Sequence, residues 1–248
     1  MSLKVEAREF ALQQKNTELE ESLKLRTAAS GLLLWFTLGI SIYVFLLAFL
    51  NDPGLTDPFK SVIVRWFGNI FLLSQVVLML LLIRRSGFPL SAYGITRQNT
   101  RKSIRESLLV SAVVIIALIL LKVWFIHSDS VMKGISLIAY EELETMFTYT
   151  FILSAPLQEF LIRGVLQSSA ERILMIKHKV FWSVFSVSLI FAALHTIFSL
   201  SFAMLTFFTS LGLGWLYSRH HNIIGVSLCH LLLGLTFILL GFWEIIAF

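Results

Sequence analysis

From residue 30 to residue 246 the sequence is a succession of apolar runs, each close to the about 20 residues that one helical crossing of a bilayer requires. Short connections between the runs hold most of the charge. Reading each run as one crossing gives spans near 30–50, 62–83, 106–127, 146–167, 181–198, 201–217 and 223–246. The expectation is an all-α, polytopic helical membrane protein with about seven transmembrane helices. Composition agrees, since 57% apolar residues in 248 and a mean hydropathy of +0.83 exceed what a water-soluble domain of this size shows. Two boundaries are soft. "HTIFSLSFAM" leaves almost no turn between the fifth and sixth spans, and the last run is long enough to tilt or to end in an interfacial segment.

The connections alternate in charge. Arg84, Arg85, Arg97, Arg101, Lys102 and Arg105 fall between the second and third spans, and Arg172, Lys177 and Lys179 between the fourth and fifth. "NDPGLTDPFK" and "HSDSVMKGISLIAYEELET" carry one lysine each and are acidic. The positive-inside rule therefore predicts a cytoplasmic N-terminus and, for seven spans, an external C-terminus. The net charge of +5 follows from these loops and is no signal for nucleic acid. With one cysteine, Cys229, no disulfide can form within the chain.

Residues 1–29 differ in kind and are expected to form a separate polar, amphipathic N-terminal helix ahead of the transmembrane domain, 30–248. Val5, Leu12 and Leu19 repeat every seven residues, half of a coiled-coil seam, but the companion positions are Arg8, Lys15 and Ser22. A homodimer through this helix and a solvated or membrane-skimming helix both stay open, the second favoured. No signal peptide is expected, because the first apolar run is too long and lacks a small-residue cleavage site.

Within the apolar runs, a few polar side chains stand out. "SAPLQEFLIRGVLQ" (154–167) carries Gln158, Glu159 and Arg163 into the fourth span. A charge at mid-bilayer costs roughly 2.5–3.5 kcal/mol on insertion scales, so a chain keeps one only where it is paired or used. Glu159 and Arg163 are one helical turn apart and can neutralise each other; taken alone they read as a structural staple. "FAALH" adds His195 in the fifth span and "SLCHLLLG" adds His230 in the seventh. Either histidine alone is an ordinary helix-to-helix hydrogen bonder. Two histidines and a glutamate on three spans, however, are a set that can converge on one water. Glutamate would deprotonate that water while the histidines stabilise the oxyanion, or His195, His230 and Glu159 would ligate a divalent metal such as zinc that acidifies it.

Other intramembrane chemistries lack their residues. There is no His-Glu-x-x-His for a zinc protease and no Gly-x-Ser-Gly beside a histidine for a serine protease. Asp52, Asp57 and Asp129 all lie in expected outward loops, which excludes a two-aspartate protease. Cys229 points about 100° away from His230 on a helix and reads as a packing residue.

Residues from about 146 to 240 resemble the CPBP (ABI) family, the intramembrane CAAX-type prenyl endopeptidases and their bacterial relatives. That family's motifs Glu-Glu-x-x-x-Arg-Gly, Phe-x-x-x-His and His-x-x-x-Asn/Asp correspond here to "QEFLIRG" (158–164), "FAALH" (191–195) and "HLLLG" (230–234). The resemblance implies hydrolysis of a membrane protein or peptide in or near the bilayer of a bacterial inner (cell) membrane. It also implies Glu159, Arg163, His195, His230 and the 158 position as the catalytic set.

Two departures accompany it. The family's first glutamate, thought to activate the water, aligns with Gln158, and its closing Asn or Asp aligns with Gly234. A glutamine amide cannot take a proton from water, and glycine offers no side chain to an oxyanion. Glu159 would then have taken over as base, or the chain would be an inactive relative serving as a membrane scaffold that binds partner proteins. The remaining explanation, that Gln158 is an isosteric replacement of a natural glutamate, leaves Gly234 unexplained. A transporter ranks behind these, since the paired halves usual in transporters are absent from the sequence.

Overall fold

The structure is a computed structural model that describes residues 2–50, 58–128, 132, 136–140 and 146–246. Asp52, Asp57, Asp129 and Lys133 of the expected outward loops lie outside the described residues. Among the described residues every regular element is a helix. Helix α1 (Ser2–Leu50) is followed by α2 (Pro58–Ser86) and α3 (Thr100–His127). Next comes one continuous helical rod made of α4 (Met146–Glu159), a π-helical stretch (Phe160–Gln167) and α5 (Ser168–Ile173). Helices α6 (Lys179–Leu194), α7 (Leu200–His220), α8 (Ile223–Leu239) and the short α9 (Phe242–Ile246) complete the chain.

The apolar runs map onto these helices, with differences at the ends. Polar residues 2–29 and the first apolar run form a single unbroken α1, on which Leu12 and Leu19 are exposed. The fifth run stops being helical at Leu194, short of the expected 198, and residues 195–199 form the connection. Ser199 supplies the reason: its hydroxyl accepts from the amide of Phe202 and caps α7, satisfying one of the amides a helix start leaves free. The last run divides into α8 and α9. Among the described residues four helices are long and apolar enough to cross a membrane, within α1, α2, α3 and α7, while α6 and α8 are apolar but shorter. The protein is an integral membrane protein.

Helix packing here cannot draw on the hydrophobic effect, because lipid tails are as apolar as leucine, so close contact between small residues has to serve. Helices α3 and α8 show this, since Ser103, Ser107 and Ser111 repeat every four residues on α3 and are all buried. Ser111 donates to the buried sulfur of Cys229 at 3.2 Å, which makes Cys229 a packing residue. Asn222 ties the other end of α8 to the α2–α3 connection. Its amide nitrogen donates to the carbonyls of Thr96 and Gln98 and to the hydroxyl of Thr100, and its oxygen caps Ile224.

The π-helical stretch sits at the centre of the bundle with all eight residues buried. Its wider turn is a single-element distortion of the kind often found at functional sites. A short 3-10 turn, Leu90–Tyr93, packs on it so closely that a Cβ at Gly164 would stand 2.6 Å from the Tyr93 carbonyl oxygen. Beside it, Arg172 lies over the Tyr93 ring at 4.8 Å and donates to the Ala92 carbonyl.

Candidate active site

A cavity of about 880 Å³ runs between α1, α2 and the C-terminal helices, with walls that are mostly apolar. Gln158, His195, His230 and the Gly234 backbone line it, and Glu159 does not. Gln158 and Glu159 are neighbours on one helix, so their side chains diverge by about 100°. One turns toward the cavity, and the other turns into protein and is fully buried.

Behind that wall Glu159 joins the cavity to a buried polar network. One carboxylate oxygen lies 2.8 Å from His230 Nδ1, and the other accepts from Arg163 Nε at 3.3 Å. Arg163 is also fully buried, and its remaining donors are spent elsewhere. Nη1 donates to Gln167 Oε1 at 3.3 Å, while Nη2 donates to the Ser210 carbonyl at 2.9 Å and the Ser210 hydroxyl at 2.5 Å. Ser210 in turn donates to Ser188 at 3.0 Å. Two ions in a low-dielectric interior survive only when their remaining donors and acceptors are satisfied, and these partners supply that.

The partners also fix the histidine tautomers. His195 Nδ1 lies 2.7 Å from the Phe191 carbonyl, which can only accept, so Nδ1 carries the proton. His230 Nδ1 faces the Glu159 carboxylate, which is held as an acceptor by Arg163, and likewise carries the proton. In each neutral ring the unprotonated nitrogen is Nε2, which has no hydrogen-bond partner among the described residues. The Phe191 ring packs edge-on against both imidazoles, with centroids 4.5 Å from His195 and 6.2 Å from His230. The "FAALH" spacing thus builds the wall that holds both histidines in place.

This arrangement alters three sequence-based expectations. The histidines present acceptors to the cavity in these tautomers, so they are not oxyanion donors while neutral. Glu159 meets His230 rather than a cavity water. A metal set of His195, His230 and Glu159 does not fit either. Both Glu159 oxygens are engaged, and no group of three His, Cys, Asp or Glu side chains among the described residues is placed to hold an ion.

Gly234 has a structural reason. A Cβ there would stand 2.1 Å from Cζ of Phe151, whose ring reaches across from α4 and meets the His230 ring edge-on at 5.6 Å. The space in which the family's Asn or Asp side chain would begin is filled by Phe151. Gly234→Asn should therefore destabilise the protein by about 1–3 kcal/mol, the usual cost of overpacking, and Phe151→Ala in the same chain should recover most of it. Thermal unfolding in detergent reads both, and an undiminished midpoint for Gly234→Asn alone would show the site to be open.

Sequence reasoning missed Gln167, Ser210, Ser188 and Phe151. Only Gln167 left a sequence signal, being four residues beyond Arg163 in the same apolar stretch. Ser210 lies 47 residues away from its partner, and nothing in the spacing connects them.

A comparison with protein families matches residues 141–236 to the type II CAAX prenyl endopeptidase Rce1-like family. No curated protein and no solved structure matches the chain. The match spans α4 through most of α8 and covers Gln158, Glu159, Arg163, His195, His230 and Gly234, whereas α1, α2 and α3 lie outside it. Residues 141–236 are thus similar to that family, in line with the resemblance carried by the three motifs.

Proposed function

We propose that the protein is an active intramembrane endopeptidase in which His230, oriented by Glu159, is the general base and Gln158 is an oxyanion donor. The observation that carries this reading is the 2.8 Å contact between His230 Nδ1 and Glu159 behind a cavity that His230 itself lines. A buried carboxylate that fixes an imidazole tautomer and balances the imidazolium formed on proton transfer is the logic of the serine hydrolase triad, here applied to a water.

The chemistry balances with these residues alone. A water in the cavity gives one proton to His230 Nε2 while its oxygen bonds to the scissile carbonyl carbon. Its second hydrogen is directed by the His195 Nε2 lone pair. The Gln158 amide N–H donates to the oxygen that becomes negative, a task for which a glutamine is suited and a glutamate is not. The His230 imidazolium then passes its proton to the leaving amine as the C–N bond breaks. A carboxylic acid and an amine are released, and His230 returns to its starting tautomer.

Gln158 decides between this mechanism and one with a glutamate at 158 as base. On the present reading Gln158→Glu removes a donor and places an anion beside a developing one. It should lower kcat by about 10²–10³, the usual cost of losing an oxyanion donor. The assay is cleavage of a quenched membrane-peptide library in liposomes, with a chelator arm. A rise in turnover on Gln158→Glu would return the base to position 158, and loss of turnover with chelator would return the metal.

We further infer from the loop charges that the N-terminus is cytoplasmic. A reporter fused after residue 93 should label inside and one after residue 135 outside; the opposite pattern would reverse the topology.

A further inference from the structure

We propose that Gln167, itself held by Glu171, is a positioning residue of the site: it keeps the guanidinium fork of Arg163 off Glu159, so that the carboxylate stays on His230. The proposal builds on the hydrolytic reading above. A free arginine beside a carboxylate takes it with two parallel N–H bonds. Here Arg163 reaches Glu159 only through Nε, at 3.3 Å, while Nη1 is drawn to Gln167 and Nη2 to Ser210. The second Glu159 oxygen is thereby left for His230.

The direction of the Gln167 amide is set from its far end. Its Nε2 donates to Glu171 Oε1 and to the Gly214 carbonyl, both at 3.0 Å. Both partners accept, so the amide must turn its oxygen toward Arg163, which can only donate. Glu171 is fixed in turn by His221 Nε2, 3.1 Å from its other oxygen, and His221 is half exposed at the start of the α7–α8 connection. The helix geometry makes this column feasible. Residues four apart on an α-helix drift by about 40° per step, and the wider π turn drifts the opposite way. Glu159, Arg163, Gln167 and Glu171 therefore stay on one face across the π-helical stretch. Bare backbone at Gly214 admits them to α7, for a Cβ there would stand 2.9 Å from Arg163 Nη1 and 3.1 Å from Gln167 Oε1. The column is no proton wire, because a guanidinium and an amide do not exchange protons readily near neutral pH; its work is orientation.

The test compares Gln167→Leu, Glu171→Leu and Glu171→Gln in liposomes, normalised to folded protein. Gln167→Leu should lower kcat by about 10–100-fold with KM nearly unchanged, the scale at which orienting partners of functional histidines act. Glu171→Leu should follow it, and Glu171→Gln, which keeps an acceptor for the amide, should recover most of what Glu171→Leu loses. The hydrogen-bonded Nδ1 proton resonance of His230, assigned by its loss in His230→Gln, should vanish in Gln167→Leu. If Gln167→Leu does not fold, Glu171→Leu carries the same test from the outer end of the column. Unchanged kcat together with an unchanged His230 resonance would overturn the proposal. A chain that cleaves no peptide would overturn the hydrolytic reading instead, and the His230 resonance would still decide the positioning claim.

Discussion

Glu159→Gln should lower peptide turnover by about 10⁴, the loss that follows when the carboxylate of a histidine-carboxylate pair becomes an amide. The substitution keeps size and shape, so the cavity that Gln158, His195 and His230 line should survive. What changes is which atom donates. An amide can turn its NH2 toward His230 Nδ1, which then becomes the acceptor and moves the ring proton to Nε2, where a base needs its lone pair. The imidazolium formed during reaction would also lose its counter-charge. Initial rates in liposomes decide this, with detergent unfolding as the control for fold. A variant that keeps turnover within about tenfold would leave no room for a histidine-carboxylate mechanism, given the usual size of general-base effects.

The second large effect is on stability. Glu159→Leu and Arg163→Leu each strand a buried charge and should each cost about 3–5 kcal/mol, whereas the double replacement should cost well below their sum. It will not be neutral. Gln167 Oε1 and the Ser210 carbonyl lose the donors Arg163 gives them, and an unsatisfied buried acceptor costs about 1–3 kcal/mol. Denaturant or thermal unfolding of both singles and the double in one detergent measures the coupling. Strict additivity would mean that the 3.3 Å contact contributes nothing.

The sequence made some of this legible because membrane insertion leaves a strong compositional mark. Helices α2, α3 and α7 could be read from run length, and the Glu159–Arg163 pair from a spacing of four in an apolar stretch. The π-helical stretch left no such mark, since one extra residue per turn changes hydrogen bonding and not composition. That difference matters at the site, because the wider turn keeps Arg163 and Gln167 on the face of Glu159. The Phe151–Gly234 and Arg163–Ser210 contacts join segments far apart in the chain, and a single sequence carries no record of such pairings. His195 was read as lying within a span; it sits just past the end of α6, where Ser199 starts the next helix.

The most direct measurement of the central claim is the rate at which the unaltered chain and its His230→Gln variant, reconstituted side by side, cleave the same membrane peptides. A base oriented by Glu159 predicts cleavage by the unaltered chain and a loss of about 10²–10⁴ in the variant, with unfolding midpoints close together. Equal rates from the two proteins would contradict the account.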